Sequence, residues 1–132
     1  MEITEVNLMN KIKLKIWGRK FWLPVMMQEF QKEKVTDLQK KALKMFEADQ
    51  AGVESAKEEV EKYIQMSEAW EEGMTEVDNI FKYVMPRSVF FPQDKKRVAA
   101  ILCDYKFDME NGLAVVFENE VFREVGPQDI IL

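Results

Sequence analysis

Residues 97–132, RVAAILCDYKFDMENGLAVVFENEVFREVGPQDIIL, narrow the choice of fold more than any other stretch of the chain. The continuous apolar run Val98–Cys103 predicts a buried strand, and Asp108-Met109-Glu110-Asn111-Gly112 supplies turn chemistry. There an aspartate can accept backbone amide hydrogens, and Asn111-Gly112 tolerates positive φ. Leu113, Val115 and Phe117 then share one face of a following strand, with Val121 and Val125 placed to pair beside it. The segment therefore reads as a three-stranded meander with a short apolar tail.

Residues 10–27, NKIKLKIWGRKFWLPVMM, predict a hairpin. Ile12, Leu14 and Ile16 alternate with Lys11, Lys13 and Lys15, the signature of a half-buried strand whose lysine face is wet or lies at a sheet edge. Gly18-Arg19 is the expected turn, after which Phe21, Leu23 and Val25 resume the period of two. Pro24 has no amide hydrogen, so the second strand is expected at an edge or with a bulge there.

Between these blocks, residues 36–84 carry helical signals. Thr36-x-x-Gln39 has the form of a capping box, followed by Leu38, Ala42, Met45, Phe46 and Asp49 on one stripe. Ala51-Gly52 is the expected break. A second helix then places Val53, Ala56, Val60 and Ile64 inward and charged residues outward, with Glu58 and Lys62 as an i,i+4 pair. Gly73 interrupts it, and Thr75 is expected to cap a shorter helix through Tyr83, with Val77, Ile80, Phe81 and Val84 inward and Pro86 as its stop. Ser88–Phe91 reads as a link or brief strand. The predicted fold is α+β: a mainly antiparallel sheet, built from the N-terminal hairpin and the C-terminal three-stranded meander, with two to three helices on one face. With 132 residues, no repeat and no low-complexity linker, one domain over 1–132 is expected.

Composition removes whole classes of chemistry. The chain has no histidine and one cysteine, Cys103. Ser/His/Asp triads, Cys/His dyads, HExxH zinc sites, intramolecular disulfides and multi-cysteine metal sites are therefore excluded within one chain. Cys103 lies in the apolar run and reads as a packed thiol. No phosphate-cradling loop exists among five glycines. The N-terminal MEITEVNLMNK lacks a basic leader and an apolar core, and no apolar run approaches the roughly 20 residues a membrane span needs, so a soluble, cytoplasmic protein is expected. The net charge of −5 is uneven: residues 28–82 hold 14 acidic and 8 basic side chains, whereas residues 1–27 hold 2 and 5. The acidic middle argues against nucleic acid as the main partner.

Leu102-Cys103-Asp104, Asp108-Met109-Glu110-Asn111-Gly112, Phe117-Glu118-Asn119 and Gly126-Pro127-Gln128-Asp129 together resemble an uncharacterised family of bacterial domains. Its pattern runs Cys-Asp, Asp-x-Glu-His-Gly, an Asn-Gly hairpin and Gly-x-Gln-Asp. The resemblance is clear in the last third and only outlined in the helical middle. It implies a domain of unknown function, some relatives of which are suspected immunity proteins against toxins of competing bacteria. Asn111 stands where the family often has histidine, and Glu120 where the hairpin often has glycine, so the turn after Asn119 is expected to be made differently.

No catalytic residue is identified and no cofactor is expected. Asp104, Asp108 and Glu110 are weak metal candidates, since their spacing departs from a calcium loop and turn stabilisation explains them. Trp17, Phe21, Trp22, Trp70 and nine methionines suit either a core or an adaptable partner surface. Trp22 falls on the strand face opposite Phe21 and Leu23, so it is either covered by a second layer or exposed for binding. Lys95, Lys96 and Arg97 form a small basic neighbourhood, read as a solvated flank or a site for an acidic partner. The expected function is a non-catalytic protein-interaction module with an unknown protein partner, in its sharpest form an immunity-like inhibitor. A small-ligand-binding protein or carboxylate-dependent hydrolase is the alternative, and a homodimer is a third arrangement.

Overall fold

The computed structural model describes residues 11–30, 34–71 and 76–132. Six strands form one sheet in chain order: β1 (Lys11–Ile16), β2 (Arg19–Met27), β3 (Val84–Phe91), β4 (Val98–Tyr105), β5 (Leu113–Glu118) and β6 (Val121–Gly126). All neighbouring strands are antiparallel except β2 and β3, which run parallel through Val25↔Val89, Met26↔Phe90 and Met27↔Phe91. The α+β class and the largely antiparallel character are as expected, but the strand arrangement is not. A four-stranded meander, β3 to β6, is joined to the hairpin by a parallel seam. The helical segments α1 (Asp37–Ala48), α2 (Ala51–Ser55) and α3 (Lys57–Gln65) form the connection that a parallel pair requires.

Strand β3 accounts for the difference. Pro86, expected to stop a helix, lies inside the strand, where the ladder with β4 shifts register between Pro86 and Ser88. A bulge tolerates a residue that donates no hydrogen bond. The expected helix through Tyr83 is one 3-10 turn, Ile80–Lys82, capped by Asn79, whose Oδ1 accepts from Phe81 N at 3.1 Å. Gly73 and Thr75 lie outside the described residues. Pro24 sits in an interior strand without a bulge: β2 pairs with β1 through residue 24, and pairing with β3 starts only at Val25. No ladder hydrogen bond to β3 is asked of its nitrogen.

Alternation in β1 works as expected, with Ile12, Leu14 and Ile16 fully buried and the three lysines exposed. The tight turn falls one residue earlier, at Trp17-Gly18, with φ of 50° and 88°. Trp17 is nonetheless buried, its indole Nε1 donating to Val53 O at 3.0 Å. This bond ties the hairpin tip to α2 and gives the buried ring nitrogen a partner.

The capping box of α1 is present: Thr36 Oγ1 accepts from Gln39 N at 3.1 Å, and Gln39 Oε1 accepts from Thr36 N at 2.8 Å. The inward stripe is Gln39, Ala42 and Phe46, while Leu38 and Met45 are half-buried and Asp49 is exposed. Gln39 turns inward because its Nε2 satisfies two strand-end carbonyls, Gln28 O at 2.8 Å and Phe91 O at 2.9 Å. Val53, Ala56, Val60 and Ile64 are all buried. The break before α2 falls at Asp49-Gln50 instead of Ala51-Gly52, and Lys62 pairs with Glu59 at 3.4 Å, not Glu58.

The core is two-sided. On the helical face, the side chains of α1 to α3 meet those of all the strands from β1 to β5. On the other face Phe90, Val98, Ala100, Leu102, Ala114 and Val116 form a second buried cluster, against which Ile130 and Ile131 pack. Burial of β4 on both faces is why Val98–Cys103 lacks alternation. Helix α2 contacts both edge strands, β1 and β6, so the sheet wraps the helical layer. Gln50, just before α2, covers the free edge of β1: its Oε1 accepts from Lys15 N at 3.0 Å and its Nε2 donates to Lys13 O at 3.1 Å.

Candidate functional site: a lysine-tryptophan face and an aromatic groove

The outer face of the hairpin is built by register. Across the two-residue turn, Lys13 lies opposite Trp22, Lys11 opposite Pro24 and Lys15 opposite Lys20. Trp22 is 63% exposed and Met26, two positions along the same face from Pro24, is 41% exposed. The Lys13 ammonium sits 5.6 Å from the Trp22 ring centroid. Among the described residues Lys11, Lys13, Lys15 and Lys20 form no salt bridge. The helical side carries a net opposite sign, with Glu58, Glu61 and Glu76 outnumbering Lys62 around a shallow depression.

The second basic neighbourhood is differently disposed. Lys96 Nζ lies 3.1 Å from Glu118 Oε2, and Arg97 grips Glu120 through Nε at 2.8 Å and Nη2 at 2.9 Å. The Lys96 hydrogen bond holds the Glu118 carboxyl below its ordinary range. Lys95 is exposed, and its backbone N donates to Asp94 Oδ1. Arg97 thereby braces the β5–β6 turn, where Asn119 and Glu120 adopt φ of 50° and 67°. The turn after Asn119 is thus the tight two-residue form despite lacking glycine, with the Arg97 fork holding the strained Glu120.

The carboxylates considered for metal are dispersed in role. Asp104 pairs with Arg87 at 2.7 Å on the outer face. Asp108 Oδ1 accepts from Asn111 N at 3.1 Å, bracing the turn, and Glu110 is exposed. Among the described residues no three acidic or cysteine side chains gather as a metal site. Cys103 is buried, its Sγ 3.7 Å from Ile101 O, and burial pushes its thiol far above the ordinary value. That environment suits packing, not nucleophilic chemistry.

The pattern of turn residues has a shared structural explanation. Gly112, at φ 64°, makes room for Gln128, whose Nε2 donates to Cys103 O at 3.0 Å while its backbone N donates to Asn111 O at 3.1 Å. Cys103, Asp108, Gly112 and Gln128 therefore lock the end of β4, the β4–β5 turn and the C-terminal segment together. A scan against family models matches residues 3–132 to a domain of unknown function, DUF6985. The chain belongs to this family. No curated protein and no solved structure matches it.

A feature of this DUF6985 chain that sequence reasoning did not assemble is an open groove of about 580 Å³ between the end of α3 and the β4–β5 turn. Tyr63, Ser67, Glu68, Tyr105, Phe107 and Asp108 line it. Tyr63 and Tyr105 lie with ring centroids 5.7 Å apart, Tyr105 and Phe107 5.8 Å, and Phe107 and Tyr83 5.4 Å. The same-face spacing of Tyr105 and Phe107 was readable from sequence; their meeting with Tyr63 depends on long-range packing. No helix among the described residues is long and apolar enough to cross a membrane.

Proposed function

We propose that this protein is a non-catalytic interaction module that docks an acidic protein surface on the outer face of its N-terminal hairpin. The observation carrying this reading is the exposure of Trp22 within a lysine-bearing face that has no salt bridges among the described residues. Tryptophan is a frequent interface anchor, offering a large rigid ring at low entropic cost, while lysines at the rim accelerate encounter with an acidic partner. Met26 extends the apolar strip and can adapt to the partner's shape. A second copy of the chain fits poorly here, because an isologous contact would bring two lysine-bearing faces together.

The sharper form of the reading, rested on the family resemblance, is an immunity-like inhibitor of a bacterial toxin acting by occlusion in the cytoplasm. Capture from a lysate of the source organism, followed by purification of the captured protein and calorimetric titration, tests it. Trp22→Ala is expected to weaken binding by about 30-fold, the cost of a modest hot spot. Lys11→Glu/Lys13→Glu/Lys15→Glu is expected to slow association and flatten its salt dependence. A partner bound equally well by the Trp22→Ala protein, or a captured species that is nucleic acid, would overturn the assignment.

A further inference from the structure

We infer that the groove between α3 and the β4–β5 turn is a binding site for a small organic ammonium ion, separate from the hairpin face. Its walls combine aromatic rings with two carboxylates, Glu68 and Asp108, and among the described residues no lysine or arginine lines it. Faces of tyrosine and phenylalanine attract a cation through the ring quadrupole, and alkyl groups on the nitrogen gain from contact with the same rings. The carboxylates supply the opposing charge. The cavity is of the size that small molecules occupy.

A further observation favours a cation. The chain places its own ammonium on this aromatic row: Lys106 Nζ lies 5.6 Å from the centroid of Tyr83, the ring next to Phe107. Burial raises the Tyr63 hydroxyl above its ordinary pKa, and the charges of Asp108 and Asp129 raise it further, as a negative field in the groove requires.

The test is a titration of the full chain with butylammonium and tetramethylammonium, and with tert-butanol as a neutral, soluble control of similar size to the latter, followed by amide NMR. Saturable shifts at Tyr63, Ser67, Tyr105 and Asp108 are expected with the cations and not with tert-butanol. Tyr63→Leu is expected to weaken binding about five-fold through loss of a cation–π face. Glu68→Gln, at an exposed position that leaves the core intact, is expected to weaken it about two- to five-fold. Shifts that do not saturate, that tert-butanol reproduces, or that centre on Trp22 would overturn the inference. Because Trp22→Ala leaves the groove untouched, its failure and that of the hairpin reading are separable.

Discussion

Replacing Gly52 with alanine sets two effects of known sign against each other. Gly52 occupies the first turn of α2, where alanine alone would favour the helix by about 1 kcal/mol. A Cβ there would fall well inside contact distance of the Glu120 carbonyl oxygen and 3.3 Å from its carbon. The obstacle is backbone in a turn that is pinned on two sides, by Asn119 N donating to Arg97 O at 2.7 Å and by the Arg97–Glu120 fork. It cannot yield as a flexible side chain would. Overpacking against such a wall costs up to about 3 kcal/mol, leaving a net loss of about 2 kcal/mol. With a urea m-value of about 1.5 kcal/mol/M, the midpoint should fall by about 1.3 M at unchanged m. The melting temperature should fall by about 7 °C. Urea unfolding followed by tryptophan fluorescence measures this, with exposed Glu54→Ala in the same helix as a control expected within about 0.5 kcal/mol of wild type. A Gly52→Ala protein as stable as wild type would refute the close seat of α2 on the β5–β6 turn.

Tyr105→Phe should alter the alkaline limb of stability. Burial pushes the Tyr105 hydroxyl up to about 12, so the fold favours the neutral phenol; its contribution is intact below pH 10 and is lost as pH rises from 10 toward 12. The loss amounts to roughly 2–3 kcal/mol, and paired urea melts at pH 9 and pH 11 should show a steeper decline in wild type than in the variant. Gln39→Leu should destabilise by about 1–3 kcal/mol, because the carbonyls of Gln28 and Phe91 would lose the buried amide that serves both; denaturant midpoints check it. Glu120→Gln keeps the turn's shape but weakens its charge-assisted fork with Arg97, and is expected to lower the denaturant midpoint in the same measurement.

What could be read from sequence follows the range of the forces involved. The Ile12/Leu14/Ile16 alternation, the Thr36–Gln39 capping box and the Val53/Ala56/Val60/Ile64 stripe depend on neighbours within a few residues, and all are present. Pro86 misleads because its local preference against helix and sheet is met by a bulge against β4, a partner whose position is not encoded nearby. The parallel seam of β2 and β3 is likewise a pairing across the whole helical layer. Periodicity places Trp22 on the face opposite Phe21 and Leu23, but whether another layer covers that face is decided only in three dimensions. The lysines of β1 were legible as a wet face, and only the register of the hairpin puts Lys13 beside Trp22. The aromatic groove is least legible, since Tyr63 and Tyr105 come from a helix and a strand that meet through the tertiary fold.

The contact of α2 with both edge strands also constrains the order of assembly during synthesis. The helix can dock on β1 as soon as the two have left the ribosome, but its other support, β6 at Val121–Gly126, is made only after the other five strands. Such distant contacts incur loop-closure entropy before they give any return. A nascent chain released from the tunnel only through β5 would hold its helical layer with one flank uncovered, leaving apolar surface available to chaperones until β6 arrives.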